Sequence, residues 1–511
     1  MLSRRRFLLT SSAVITLTPG LGRASITQNP FALGVTSGSP RDTSVVLWTR
    51  LAPEPLNGGG MPAGKIEFRY RLCSDSAMQK TVRDGTVITS DEKGHSVHLK
   101  IEDLKPGHEY WYQFYLGEDE STVGRTRTSD PKAKAATFAL ASCQHYESGY
   151  FTAFKDMAAW APDCVIHVGD YIYEGGINPL GERTRELGGK MVTSHIVRQH
   201  NSAEITTLWD YRNRHALYRL DPDLQAAHAA SPWIIAMDDH EIDNNWAGYT
   251  PQDPWAQTEM EFKVRRMAAL KAFYEHMPLE EPPRYDGLNS NLKMHGTYRF
   301  GPAQVLLLDT RQYRSDQVCG DGFPGEKTCT ELVDPKRTMT GIEQERWLIQ
   351  QLERSTASVN VIAQQTWFAP YHYSGDKDKP DLNMDQWDGY PIQRQRLLNK
   401  LADVANPVVL SGDWHCANAV TLHRNPEDAK SPKVGHEFAT TSISSGCPWA
   451  HRIVAAREFN PHVLYTEGEK RGYLRGTASQ DNWKSEYRVI ADVTKQDSII
   501  ATDREINTKD V

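Results

Sequence analysis

The sequence has no apolar run long enough to span a bilayer. The stretch from Phe7 to about Leu17 is short and rich in Thr and Ser, whereas a spanning helix needs about 20 apolar residues. A stable membrane span in the mature chain is therefore excluded. A surplus of basic residues is also missing. The formal charge is −7, which leaves no electrostatic footprint for nucleic acid. That charge does not exclude an anionic substrate, because the local field at a site decides such binding. Cysteine is scarce, with 7 in 511 residues, so each is weighed singly. Internal repeats and low-complexity tracts are absent. What is present, with 36 Gly, 28 Pro and 13 Trp, is ample for a buried core and for two domains, or one with a satellite.

The N-terminus carries Ser3-Arg4-Arg5-Arg6-Phe7-Leu8, the short apolar region, and Gly22-Arg23-Ala24 as a cleavage region. Arg4-Arg5 with Phe7-Leu8 resembles a twin-arginine signal. An ordinary secretory signal is the alternative; the weak hydrophobicity and Arg23 favour the twin-arginine route. Residues 1–24 are accordingly read as a signal peptide and excluded from the fold. The expected partner is the twin-arginine export machinery, and the expected location is periplasmic or secreted.

Residues 30–130 read as all-β. Short runs such as Ser44-Val45-Val46-Leu47-Trp48 and the alternating Lys65–Tyr70 are punctuated by Gly, Asp and Pro. The turn Leu104-Lys105-Pro106-Gly107 before the aromatics of 110–114 resembles the late strands of a fibronectin type III sandwich. Ser129–Lys132 reads as the linker.

From 135 to about 505 the pattern alternates between short apolar strands and helical segments, expected at 205–219, 258–276, 341–355 and 386–404. Strands this short and apolar suit a sheet buried on both faces. Each ends in polar groups. Thr137–Ala141 leads to Cys143-x-His145, and Cys164–Val168 leads to Gly169-Asp170-x-x-Tyr173. Pro232–Met237 ends in Asp238-Asp239-His240-Glu241, Val305–Leu308 in Asp309-Thr310-Arg311, and Pro407–Leu410 in Gly412-Asp413-x-His415. Parallel strands deliver such residues to one carboxyl edge, where α/β sheets bind ligands. Thiol, imidazole, carboxylate and phenol gathered there point to a metal site. Glu437–Ser445 reads as one more strand. The stretch from about 456 reads as irregular and rich in aromatics and charge; either it covers part of the site, as such a segment does in related proteins, or its aromatics tie it into the core.

The order of these blocks resembles the calcineurin-like metallophosphoesterases. Cys143 stands where that superfamily usually has Asp, Asp239 where it has Asn, and Asp413 where it has His. Tyr173, three residues after Asp170, is similar to the tyrosine of purple acid phosphatases. The whole set looks like the alkaline phosphatase D (PhoD-like) family. The resemblance implies an α/β fold: a calcineurin-like sandwich of sheets flanked by helices, preceded by a small fibronectin III-like β domain. It also implies Fe3+ beside Ca2+. Cys143, Asp170 and Tyr173 offer negative charges that suit a trivalent ion. Asp239 and Asp413 offer hard oxygen that suits calcium, with Asp170 as the bridge. By analogy His415 joins the iron side. Gln364 and Gln365 stay unassigned.

The implied activity is hydrolysis of small organic phosphate esters by attack of a metal-bound hydroxide. His240 is the candidate for stabilising the pentavalent oxygens or protonating the leaving group. His145 is a candidate for phosphate contact, or a hydrogen-bonded strand-end histidine. Arg311 either pairs a phosphate oxygen or makes a structural ion pair with Asp309 or a neighbour. A phosphodiesterase or phospholipase D-type activity is the alternative within the family, and a non-catalytic phosphate or iron binder is a more distant one. Cys319 and Cys329 bracket a loop in a chain expected to be exported, and are expected to form a disulfide; Cys73, Cys164, Cys416 and Cys447 read as buried free thiols.

Overall fold

The computed structural model describes residues 28–187, 189–320, 329–376 and 381–511. The expected signal peptide at 1–24, and most of the loop between Cys319 and Cys329, lie outside the described residues. Cys319 and Cys329 themselves are joined, with Cα atoms 5.4 Å apart. No helix among the described residues is long and apolar enough to cross a membrane.

Two large sheets form the body. The nine-stranded sheet runs, in spatial order, through Ile500–Asn507, Asn482–Ile490, Arg471–Ser479, Ala135–Ala141, Cys164–His167, Pro232–Ile235, Val35–Gly38, Val45–Arg50 and Ser96–Ile101. Its centre is parallel, with Cys164 opposite Phe138 and Val165 opposite Trp233. The seven-stranded sheet runs through Gly296–Phe300, Ala303–Leu307, Val359–Ala363, Pro407–Ser411, Lys433–Ala439, Ala417–His423 and Val463–Glu467. Its centre is parallel as well.

The period of a strand explains how these sheets pack. Successive side chains point to opposite faces. Val305, Leu307, Val361, Ala363, Val408 and Leu410 therefore share one core with Phe138, Leu140, Val165 and Ile234 of the other sheet. Their neighbours Leu306, Ile362 and Val409 face the other way. They pack with Leu348 and Leu352 of helix Ile342–Glu353 and with Leu397, Leu398 and Leu401 of helix Pro391–Leu401. Burying each such side chain contributes about 1.5–3 kcal/mol. Both faces of these strands are covered, which is why they read as continuous apolar runs.

The helices fall close to the expected spans, at Leu208–Arg219, Glu259–His276, Ile342–Glu353 and Pro391–Leu401. Capping boxes start the first two, Thr207 with Asp210 and Thr258 with Glu261. The fourth begins later than expected, because Pro391 fixes its first turn. Helix Pro222–Ala230 was not anticipated; Asp221 caps it by accepting from the backbone N–H groups of Asp223 and Leu224.

Two expectations change. The N-terminal segment is a sandwich, but not a separate one. Its own five-stranded sheet packs on Val35–Gly38, Val45–Arg50 and Ser96–Ile101 through Phe68, Tyr112, Phe114, Leu47 and Val97. Those three strands extend the nine-stranded sheet, with Ser37 opposite Pro232 in parallel register. The C-terminal stretch is not an irregular cover. Arg471–Ser479 pairs directly with Ala135–Ala141, Leu474 opposite Leu140. Trp483 and Tyr487 are fully buried in the main core, and Tyr465 lies with them. Charges on the outer face of these strands, such as Lys484 with Glu486 and Glu505, hid their alternation.

Candidate active site

The parallel centres of both sheets end on the same side, and the expected blocks meet there. The chain must turn sharply to bring them in. Cys143, Asp170, Asp413 and His415 all have positive φ, between 58° and 61°. This left-handed region costs a side-chain-bearing residue roughly 1–2 kcal/mol, and such strain clusters at functional sites. Two glycines permit the close approach. A Cβ on Gly169 would lie 2.3 Å from the Asp238 nitrogen, and one on Gly412 would lie 2.5 Å from Ser142 Oγ of the facing sheet. Backbone bonds stitch the turns together: Cys143 N–H donates to Gly169 O at 3.1 Å and Gln144 N–H to Asp170 O at 3.0 Å.

The donor atoms fall into overlapping groups. Cys143, Asp170 and His415 each place a ligand atom within 4.8 Å of the others. The Tyr173 hydroxyl joins them, 2.8 Å from Asp170 Oδ2 and 3.2 Å from His415 Nε2. Asp170 with Asp239 and His240, and Asp238 with Asp239 and Asp413, form two further groups at the same spacing. Asp170 thus belongs to both the thiol–phenol side and the carboxylate side.

Electrostatics show what this cluster needs. Burial, reinforced by Asp170 and Asp413, pushes the Cys143 thiol well above its ordinary range. Burial, with Asp170 and Cys143, does the same to the Tyr173 phenol. Burial and the charge of Asp239 push Asp170 up strongly and bring Asp413 to about 7. Burial opposes ionisation of Asp239 too, but Arg311 and His240 outweigh it and hold this carboxyl low. Its Oδ1 is buried and has no protein hydrogen-bond partner. Burial drops His415 to about 3, so its imidazole is neutral and its Nε2 can act as a ligand. Anionic donors packed this tightly ionise together only around a cation. The residues present fit a metal centre.

The supporting contacts orient these donors. His415 Nδ1 is 2.7 Å from Gly446 O. Ser445 Oγ is 2.7 Å from the Tyr173 hydroxyl and donates to Cys143 O at 2.8 Å. Gln386 Nε2 donates to Asp413 Oδ2. Glu241 clamps three backbone N–H groups, those of Asp170, Tyr171 and Asp238. His240 Nδ1 lies 2.7 Å from Glu174 Oε2, and its ring stacks on Tyr173 with centroids 4.1 Å apart. Burial disfavours its cation, yet Glu174, Asp239 and Asp170 together raise His240 well above the ordinary imidazole range.

Arg311 is placed otherwise than a phosphate ligand requires. It is fully buried. Its Nε donates to Asp238 Oδ1 at 2.5 Å, and its two terminal nitrogens grip Asp385 at 2.7 and 2.9 Å. Asp309 meets Arg311 only through the Arg311 backbone N–H, at 3.1 Å, and its carboxylate also accepts from Gln312. Of the two readings of Arg311, the geometry therefore takes the ion pair, with Asp238 and Asp385 as partners. Half-buried His145 sits edge-on to Tyr173, centroids 4.6 Å apart, with Nδ1 2.9 Å from Ser148 Oγ. It also neighbours Glu147 and His200. Those two are saturated: Glu147 accepts from Asn178 and His200 backbone N–H groups, and both His200 ring nitrogens have oxygen partners. Gln364 and Gln365 bond to Ser411 and Thr310 and stay out of the donor groups.

Glu174 directly follows Tyr173 in the chain and takes no role from the sequence. Ser445 reads as the end of a strand, Gln386 as the start of a helix and Asp385 as neither; their roles lie in contacts made across the fold.

A two-sheet sandwich with anionic donors at one shared carboxyl edge defines a calcineurin-like metallophosphoesterase. The chain belongs, within that class, to the PhoD-like phosphatase family. The family's main part matches residues 138–487, and the PhoD-like phosphatase N-terminal domain matches 16–130. Alkaline phosphatase D of Bacillus subtilis (strain 168) is 45% identical over 481 residues, which is 93% of this chain and 80% of that protein. The solved structure titled "Structure of PhoD" is similar with a TM-score of 0.87 and 42% identity, covering 94% of this chain and 90% of that one. The chain is a phosphoric ester hydrolase by this descent.

Proposed function

We propose that the chain is an exported alkaline phosphatase whose centre holds a ferric ion and calcium. Cys143, Tyr173, His415 and Asp170 would hold the iron; Asp239 and Asp413, sharing Asp170, would hold the calcium. The observation that carries this reading is the position of Asp170 between a thiol–phenol group and a carboxylate group. Phenolate and thiolate suit a strongly acidic cation, and carboxylates suit calcium. When bound, the metals supply Lewis acidity, which neutralises phosphate charge and makes water nucleophilic at neutral pH.

The protein's own groups do the rest. Glu174 accepts from His240 Nδ1, which leaves Nε2 of a protonated ring to donate to the leaving alkoxide. Arg311 sets Asp238 and Asp385, and its NH2 group stands 3.9 Å from oxygens of both Asp239 and Asp413. It tempers their repulsion before any metal enters. Ser445 Oγ meets the Tyr173 hydroxyl and donates to the Cys143 carbonyl, which ties the backbone that carries the thiol to the phenol.

The substrates are small organic phosphate monoesters. Arg4-Arg5 supports export by the twin-arginine route to the periplasm or beyond. The test compares release of p-nitrophenol from the mono- and bis-esters by metal-loaded protein. Faster monoester turnover, lost in His240→Ala with metal content intact, is the expected result. Faster diester turnover would move the assignment to a phosphodiesterase, and no turnover of either would return it to a binder.

A further inference from the structure

Outside the ligand groups, Cys416 and Cys447 lie with their sulfurs 3.4 Å apart, although 31 residues separate them. Neither is bonded to another cysteine. Cys416 is buried just before strand Ala417–His423; Cys447 is half-buried, in the loop that follows strand Lys433–Ala439. Each is the residue next to one end of a hydrogen bond. His415 precedes Cys416, Gly446 precedes Cys447, and His415 Nδ1 meets Gly446 O at 2.7 Å.

We propose that Cys416 and Cys447 are a second disulfide-forming pair, a redox modification site that locks the loop orienting His415. A disulfide holds its sulfurs about 2.05 Å apart. Closing the present gap takes about 1.3 Å, within reach of a side-chain adjustment at half-buried Cys447. The oxidant is a low-molecular-weight disulfide. The Cys447 thiolate attacks one of its sulfurs, which forms a mixed disulfide and releases one small thiol. The Cys416 thiolate then attacks the Cys447 sulfur and displaces the second small thiol. The two protons leave on those thiols. The chain joins Cys319 to Cys329, as suits surroundings in which disulfides persist. Bond formation does not depend on the metal reading, since neither sulfur belongs to the ligand groups.

The test is mass mapping of the folded full chain after incubation with oxidised glutathione, acid quenching, denaturation and alkylation without reduction. The expected product is a peptide linking Cys416 to Cys447, two hydrogens lighter than the dithiol. Alkylation of both cysteines, a glutathione adduct on Cys447 with Cys416 free, or a link from Cys416 elsewhere would overturn the proposal. Oxidised wild type should melt about 4 °C above Cys447→Ser treated identically; equal melting would overturn the locking role. If Cys447→Ser does not fold, the wild-type map still decides.

Discussion

Replacing Arg311 by lysine separates a structural from a substrate role at the centre of the site. Arginine here makes three charge-assisted bonds, one to Asp238 and two to Asp385. A lysine ammonium is a point charge and cannot bridge both carboxylates. Asp385 keeps Arg314 at 3.1 Å, so a lysine that stays with Asp385 leaves Asp238 buried without its cationic partner. Breaking a buried ion pair on one side costs about 3–5 kcal/mol. With an unfolding entropy of roughly 2 cal/mol/K per residue, a chain of this size should lose about 3–5 °C of melting temperature. The assay is thermal unfolding of Arg311→Lys beside wild type, with KM for p-nitrophenyl phosphate measured on the folded fraction. The account expects the lower melting temperature with KM within about threefold. An unchanged melting temperature with KM raised tenfold or more would refute it and make Arg311 a phosphate ligand.

Other outcomes follow from single contacts. Glu174→Gln removes the carboxylate that holds His240 while leaving an amide oxygen for the Asn244 N–H; kcat should fall about 10–100-fold with KM little changed, because a bond to a charged group is worth about 1.5–3 kcal/mol. Fully buried His167 is held down to about 3 by burial alone, so the unfolded chain, with an ordinary histidine near 6.5, takes up the proton first. Its stabilisation is present above pH 6.5 and is lost as pH falls toward 3, by up to about 1.4 kcal/mol per pH unit; denaturant midpoints between pH 6 and 4 should therefore fall less steeply in His167→Gln than in wild type. Truncation after residue 455 should yield insoluble protein, since it removes the strands beside Ala135–Ala141 and the buried Trp483 and Tyr487; a soluble, active truncation would contradict the sheet order.

The sequence showed most of the donor set and little of what holds it. Short apolar runs ending in Cys143, Asp170, Asp239 and Asp413 are a local pattern, so the strands and their shared edge were readable. The antiparallel C-terminal strands were not, because half their residues face solvent and carry charge, and their partner lies far away in the chain. For the same reason Val35–Gly38 gave no hint that it would pair with Pro232–Ile235. Arg311 was visible as a charge, but only the fold reveals that Asp238 and Asp385 surround it. Ser445 and Gln386 are ordinary loop residues until the two sheets meet. Motifs record which groups share a strand end; long-range hydrogen bonds decide which of them is free to meet a ligand.

The central claim is that Cys143, Asp170, Tyr173 and His415 hold iron while Asp239 and Asp413 complete a calcium side. The most direct measurement is metal analysis of protein purified without chelator, with its visible spectrum, for wild type and Cys143→Ala. The account predicts iron and calcium in the wild type, and a visible charge-transfer band from thiolate or tyrosinate on ferric iron. Mild chelation should strip calcium and leave the band, and Cys143→Ala should lose iron and band together. Zinc without iron in the wild type, or an unaltered band in Cys143→Ala, would contradict it.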